Sequence, residues 1–331
     1  MYISTIFDKN YIPRASVMID SLEKHSINNL SKIFIFALDQ EVTNYFSNRK
    51  NIEIISKENL EVEFPELLKA KNNRKYVEYI FTLSPFMPLY IFNKYKYINR
   101  ITTVDADLFF FDNPKKILDN LNNNLIGITK HDFDTEHQTM EVYGKYNVSF
   151  QSFPRTDESI SCLRMWANDC LDYCGDYLDK NDRFADQKYL DKWISMYDNI
   201  IVFDTPTIGL APWNVKKFKI NFLHNCIYNY EIVPIFYHFH HLRFKSKYHM
   251  LFADFGISKI SKDIINLYFM YWAELTKYNI LKLDNIKRNS IKNYKLDVVP
   301  QLLEFKNFPH LIRIGSIKIL IDLRRFFLFF K

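Results

Sequence analysis

The sequence predicts an α/β fold: a doubly wound, Rossmann-like mixed sheet with flanking helices, followed by a helical, basic C-terminal extension. Three observations lead there. Short apolar runs alternate with helix-period segments across residues 1–130, the pattern of strands joined by helical crossovers. The run Ile33-Phe34-Ile35-Phe36-Ala37-Leu38 is apolar without alternation, as a strand covered on both faces must be. Hydrophobic residues make up 48% and aromatics 17% of 331 residues, enough for a large core and far from the composition of a disordered chain.

Each element follows from local pattern. Residues 2–7 read as a first strand ending at Asp8. Tyr11 through Lys24 read as a helix, because Ala15, Met18, Ile19 and Leu22 recur at three- and four-residue spacing. Lys32–Leu38 and Asn51–Ser56 are the next strands. Lys75–Phe92 is helical with a break near Pro85 and Pro88, where the ring removes a donor and crowds the preceding turn. Tyr97–Asp107 and Asn124–Thr129 are strands. Beyond residue 146 come a strand over Tyr146–Phe153, helices over Ser159–Asp179 and Phe184–Trp193, and a short strand over Ile200–Phe203. The segment 229–245 carries Tyr237-His238-Phe239-His240-His241, and the chain past residue 250 reads as helical and basic.

Bulk properties narrow the function. A net charge of +6 suits an anionic substrate or an acidic membrane surface and is too small to indicate nucleic acid. Cys162, Cys170, Cys174 and Cys226 have no zinc spacing and no CxxC, so reduced thiols of a cytoplasmic protein are expected. Met1–Asp8 lacks a basic region before an apolar core, the mark of a signal peptide, and no uncharged apolar stretch approaches a membrane span.

The chemistry concentrates at Asp105-Ala106-Asp107, which closes the apolar strand and precedes Leu108-Phe109-Phe110-Phe111-Asp112-Asn113-Pro114. If the strand runs on through Asp107, both carboxylates face one side and repel each other. A hard divalent cation relieves the repulsion and keeps phosphate oxygens as further ligands. The plain alternative is a solvated turn with two aspartates. In a doubly wound sheet ligands bind at the C-terminal strand ends, and Asp8 lies at another such end. Only six glycines occur, none before Gly127, which disfavours a nucleotidyltransferase with a glycine-rich phosphate loop.

Several segments in order, from Phe7-Asp8-Lys9-Asn10-Tyr11-Ile12-Pro13-Arg14-Ala15 through Thr82-Leu83-Ser84-Pro85, Val104-Asp105-Ala106-Asp107-Leu108-Phe109-Phe110, Tyr146-Asn147-Val148, Asp186-Gln187-Lys188-Tyr189-Leu190-Asp191-Lys192-Trp193, Ala211-Pro212-Trp213-Asn214 and Tyr237-His238-Phe239-His240, resemble GT-A glycosyltransferases that use nucleotide sugars. Within these the chain is similar to bacterial family-8-like enzymes found with surface-polysaccharide genes. The likeness spans roughly residues 5 to 245 and leaves the last part of the chain without support.

What the resemblance implies is specific. Residues 1–248 would be the GT-A catalytic domain, with a nucleotide-binding half to residue 130 and a sugar-binding half from 131, and 249–331 a helical extension. Thr5, Asp8 and Tyr11 would hold the nucleotide, Asp8 by accepting from the base and Tyr11 by stacking; Asp8 as a helix cap is the compatible plain reading. Asp105, Asp107 and His238 would hold Mn²⁺ or Mg²⁺, with His240 able to join and Ala106 lining the donor site between the carboxylates. Asp186 and Gln187 would be the catalytic pair at the donor sugar, Asp186 otherwise being a helix cap. Asn147, Trp213 and Asn214 would meet sugars, Trp213 by stacking or else as core, and Lys245 the phosphates. The expected activity is metal-dependent transfer of a sugar from a UDP- or GDP-sugar to a hydroxyl of a surface glycan, with retention of configuration. The acceptor would be lipid-linked at the inner face of the cytoplasmic membrane, and the basic and aromatic tail 317–331 would either contact that membrane or pack as a docking helix on the domain or on a second subunit. The alternatives are the nucleotidyltransferase and a non-catalytic glycan-binding partner. Two departures stand out: Ser149 replaces a glycine common in relatives, and the arginine that precedes their metal motif is not found near Thr82–Pro85.

Overall fold

The computed structural model describes residues 1–230, 232–246, 249–251, 261–278, 297–298, 310–314 and 317–321. Strands β1 (Tyr2–Phe7), β2 (Lys32–Ala37), β3 (Ile52–Ser56) and β4 (Arg100–Val104) alternate with helices α1 (Ile12–Ser26), α2 (Gln40–Phe46), α3 (Lys57–Glu63), α4 (Leu67–Asn73), α5 (Tyr76–Thr82) and α6 (Phe86–Lys94). There follow β5 (Leu108–Phe110), α7 (Lys115–Leu118), β6 (Ile126–Lys130), β7 (Tyr146–Pro154), α8 (Asp157–Asp172), α9 (Trp193–Met196) and β8 (Ile200–Phe203). The main sheet has seven strands in the order β3-β2-β1-β4-β7-β6-β8, all parallel except β7.

The expected period-two burial is visible in β2. Phe34 and Phe36 enter the core on one face, with Trp166 of α8 and Phe86 and Ile91 of α6. Ile33, Ile35 and Ala37 enter the other, with Ala15, Met18, Ile19 and Leu22 of α1. Helices thus cover both faces, as parallel strands require.

Beyond the sheet lie a hairpin of β9 (Ile220–Leu223) and β10 (Cys226–Asn229), and β11 (Phe236–His238), which pairs antiparallel with β5. Then come β12 (Arg243–Ser246), β13 (His249–Leu251) and α10 (Lys262–Thr276). Helix α10 closes a third core: Tyr271 stacks on Phe239 with ring centroids 3.7 Å apart, beside Tyr237 and Tyr268. Among the described residues no helix is long and apolar enough to cross a membrane.

Three expectations need correction. The strand before the acidic pair stops at Val104, and Asp105–Asp107 form a turn before β5, so strand alternation is not what brings the carboxylates together. The helix expected over Phe184–Trp193 is a 3₁₀ turn, Gln187–Lys192, because Ala185 takes a left-handed φ of 44° that an α-helix cannot include. The extension is not all helical: besides α10, its described residues include β14 (Asp297–Val298), β15 (His310–Ile314) and β16 (Ile317–Ile321), whose alternate isoleucines favour a pleated strand. Residues 322–331 of the expected membrane-contacting tail lie outside the described residues.

Candidate active site and metal centre

Strand ends and one returning loop build the site. Strand β4 delivers Asp105, whose backbone N–H donates to Ser149 O (3.0 Å) on the antiparallel neighbour β7. The turn then buries Asp107. Strand β11 pairs with β5 in the register His238 to Leu108, and Phe239 N donates to Asp107 O (3.0 Å). These bonds bring the distant imidazole onto the acidic turn: His238 Nε2 lies 3.0 Å from Asp107 Oδ1 and 3.6 Å from Asp105 Oδ2. His240 joins them, since one ligand atom each from Asp107, His238 and His240 lies within 4.8 Å of the others.

The electrostatics follow from burying like charges beside one imidazole. Burial raises the Asp105 carboxyl; His238 opposes that, the carboxylates of Asp107 and Asp186 add to it, and the group reaches about 7. Its side chain still keeps 39% of its surface open, so it faces the crevice rather than the core. Burial alone would raise Asp107 as well, but the His238 imidazole and the Arg14 guanidinium hold it below the usual carboxylate range. For His238 burial opposes the charged form, and Asp107 and Asp105 outweigh it, so the net shift is upward. Its Nδ1 is buried with no hydrogen-bond partner among the described residues.

This donor set fits a divalent cation. Two carboxylates and an imidazole, crowded together with one carboxyl forced toward its neutral form, offer oxygen and borderline nitrogen ligands that suit Mn²⁺ better than Mg²⁺.

Asp186 sits beside this cluster. It follows left-handed Ala185, whose N–H donates to Gly175 O (2.8 Å), and the Trp166 indole N–H donates to Asp186 O (2.8 Å). Burial lifts its carboxyl to about 6, while the Ser84 hydroxyl, donating to Oδ2, pulls it back. The amide of Gln187 donates to Tyr143 O (2.9 Å), which fixes its orientation.

On the nucleotide side Asp8 caps the turn after β1, accepting from Asn10 N (2.9 Å) and Asn10 Nδ2 (3.0 Å). Tyr11 is 40% exposed, with the Arg14 guanidinium carbon 5.0 Å from its ring centroid. The phenol of Tyr76, raised to about 12 by burial and then by the carboxylates of Asp8 and Asp39, marks the same rim.

Other expected contacts fall elsewhere. Thr5 is fully buried within β1, so its side chain does not line the crevice. The Ala106 methyl belongs to the core on the α1 side of the sheet, leaving its backbone as the part able to face a ligand. Trp213 is 2% exposed and cannot present a stacking face; its indole donates to His131 O (2.7 Å), and it lies edge-on to His238 and His240. Asn214 is fully buried and spent on backbone, donating to His131 O and Gly209 O and accepting from Ala211 N. Asn147 remains a candidate. Its Oδ1 accepts from Ser149 N (3.0 Å) and Oγ (2.6 Å), while its buried Nδ2 has no partner among the described residues. Lys245 lies on β12, and its side chain is outside the described residues.

Two residues escaped sequence reasoning. Ser84 stood inside a recognised segment, but nothing local tied it to Asp186. Arg14 is buried and donates to Leu242 O (2.8 Å), a contact with no signature in its own neighbourhood beyond a cation on the inward side of α1.

No family model matches the chain. It is similar to two uncharacterised proteins of Bacillus subtilis (strain 168). YfnD is 28% identical over 242 residues, 72% of this chain and 76% of YfnD. YfnF is 29% identical over 245 residues, 71% of this chain and 79% of YfnF. Among solved structures, galactosyltransferase LgtC, in complex with donor and acceptor sugar analogs, superposes with a TM-score of 0.51 over 88% of this chain and 100% of LgtC, at 12% identity. That likeness establishes the architecture: the expected GT-A fold is the fold observed.

Proposed function

We propose that this protein is a metal-dependent glycosyltransferase that moves a sugar from a nucleoside-diphosphate donor to a hydroxyl of a bacterial surface glycan. The observation that carries the reading is the convergence of Asp105, Asp107 and His238 at one strand end, with buried Asp186 beside them. A turn that merely met solvent would have no need of a buried imidazole from so distant a segment.

Asp105, Asp107 and His238 would hold the cation, Mn²⁺ in preference to Mg²⁺. When bound, it supplies charge neutralisation for the departing nucleoside diphosphate. The remaining work falls to the chain. Asp8 and Tyr11 receive the base, UDP and GDP both being donors of suitable chemistry. Asp186, ionised above about pH 6, lies where positive charge would develop on the sugar, and its carboxylate stabilises that charge at short range. The Ser84 hydroxyl holds that carboxylate, and the Trp166 indole holds the backbone carbonyl of the same residue. Gln187, oriented by Tyr143, and Asn147, oriented by Ser149, orient donor and acceptor. Retention of configuration follows if no second base activates the acceptor. The acceptor would be a lipid-linked glycan at the inner membrane face.

Calorimetry with UDP and GDP, each with and without Mn²⁺, tests the reading. Nucleotide binding that requires Mn²⁺ and is lost in Asp107→Asn supports it. Metal-independent binding, or none, favours a non-catalytic glycan-binding role.

A further inference from the structure

We propose that His240 ligates the same cation as Asp107 and His238, making the centre a two-imidazole site that selects against Mg²⁺. This inference depends on the cation site of the proposed function and adds to it the class of metal admitted.

The geometry supplies the case. A first-row cation holds nitrogen and oxygen ligands at roughly 2.1 Å, so ligand atoms on opposite sides of one ion stand about 4.2 Å apart. The atoms offered by Asp107, His238 and His240 lie within 4.8 Å of one another, so a shift of well under an ångström closes them on a common ion. Asp105 stands outside that trio and approaches from the crevice side, 3.6 Å from His238 Nε2.

The backbone holds both imidazoles in place. His238 N donates to Leu210 O (2.9 Å) and Phe239 N to Asp107 O (3.0 Å), which fixes the chain up to Phe239, and Leu242 N donates to Phe239 O (3.2 Å), closing the turn that carries His240. The Trp213 ring meets His238 and His240 edge-on, at centroid separations of 5.4 and 5.3 Å, and their own rings stand 5.2 Å apart at 76°. A buried tryptophan tied to His131 O is thus a shared wall for two imidazoles, which accounts for its burial better than a sugar platform does. Imidazole is a poor ligand for Mg²⁺, which demands oxygen and keeps its water, and an acceptable one for Mn²⁺ and later first-row ions. A second imidazole therefore widens the preference.

The test uses the full-length apoprotein with MnCl₂ and MgCl₂ alone, read by calorimetry and by pulsed EPR of bound Mn²⁺, which counts coordinated nitrogens. In the wild type two imidazole nitrogens are expected. In His240→Asn one remains, Mn²⁺ affinity falls by about tenfold or more, and Mg²⁺ affinity stays within about threefold. A single nitrogen in the wild type, or an unchanged Mn²⁺ to Mg²⁺ ratio in His240→Asn while His238→Asn abolishes binding, overturns the role of His240 and leaves the proposed function standing. No Mn²⁺ binding by the wild type overturns both. If His240→Asn does not fold, the nitrogen count of the wild type decides alone.

Discussion

The Ser84 hydroxyl donates to the buried carboxylate of Asp186, a residue far along the chain whose pKa burial lifts to about 6. Removing that donor raises the pKa further, because the hydrogen bond favours the ionised form. In Ser84→Ala the acid limb of kcat/KM should therefore move to higher pH than in the wild type, with activity at pH 7 reduced about two- to tenfold. A pH–rate profile checks this; an unshifted limb would show that Asp186 does not act as a carboxylate.

Without metal, stability should depend on pH through two opposed sets of buried groups. Asp105 at about 7 and Asp186 at about 6 lie above the ordinary 3.8, and His238 lies above 6.5, so these three groups bind more protons in the folded protein than in the unfolded chain across roughly pH 4–7, and the stability they contribute is lost as pH rises. Asp107, shifted down, opposes this below its ordinary value, and so do His131, held down to about 3 by burial, and His240, also held down by burial, up to about pH 6.5. Differential scanning fluorimetry should show the melting temperature of apo Asp186→Asn falling less, or rising more, from pH 5.5 to pH 8 than that of the wild-type apoprotein. Mn²⁺ should raise the melting temperature more at pH 8, since proton release accompanies ligation. A larger metal effect at pH 5.5 would contradict this charge assignment.

Ser149 positions Asn147 through its backbone N–H and its hydroxyl. Ser149→Gly keeps the backbone N–H and loses the 2.6 Å hydroxyl bond, which predicts a loss of about 0.5–1.5 kcal/mol in stability. It should also lower kcat/KM for the donor by up to about tenfold, and the double variant with Asn147→Ala should be no worse than Asn147→Ala alone. Additive losses in that cycle would mean the two act separately.

Trp213→Phe distinguishes a wall from a platform. It removes the indole bond to His131 O, a carbonyl that Asn214 still satisfies, so the stability cost should be about 1–2 kcal/mol. Mn²⁺ affinity should drop while the acceptor KM barely moves. A raised acceptor KM with unchanged metal affinity would restore the stacking role.

The sheet was legible because its burial is written in local pattern. Ile33 to Ala37 can only be covered on both sides, and α1 repeats its apolar face at helical spacing. The acidic pair was legible by chemical type, though for the wrong geometric reason: a turn, not strand alternation, brings Asp105 and Asp107 together. Trp213 and Asn214 were located by motif, but a motif does not tell whether a side chain points into the crevice or behind it, and both point behind. Ser84 and Arg14 act through partners such as Asp186 and Leu242, contacts that exist only once the chain has folded and leave no trace in spacing.

The pairing of β11 with β5 has a bearing on how the protein is made. A ribosome synthesising the chain polymerises every strand of the seven-stranded sheet before it reaches the histidine that meets Asp107. The cluster of Asp107, His238 and His240 is thus completed late in synthesis. A nascent chain halted after β8 would carry the acidic turn and still lack either imidazole of the trio.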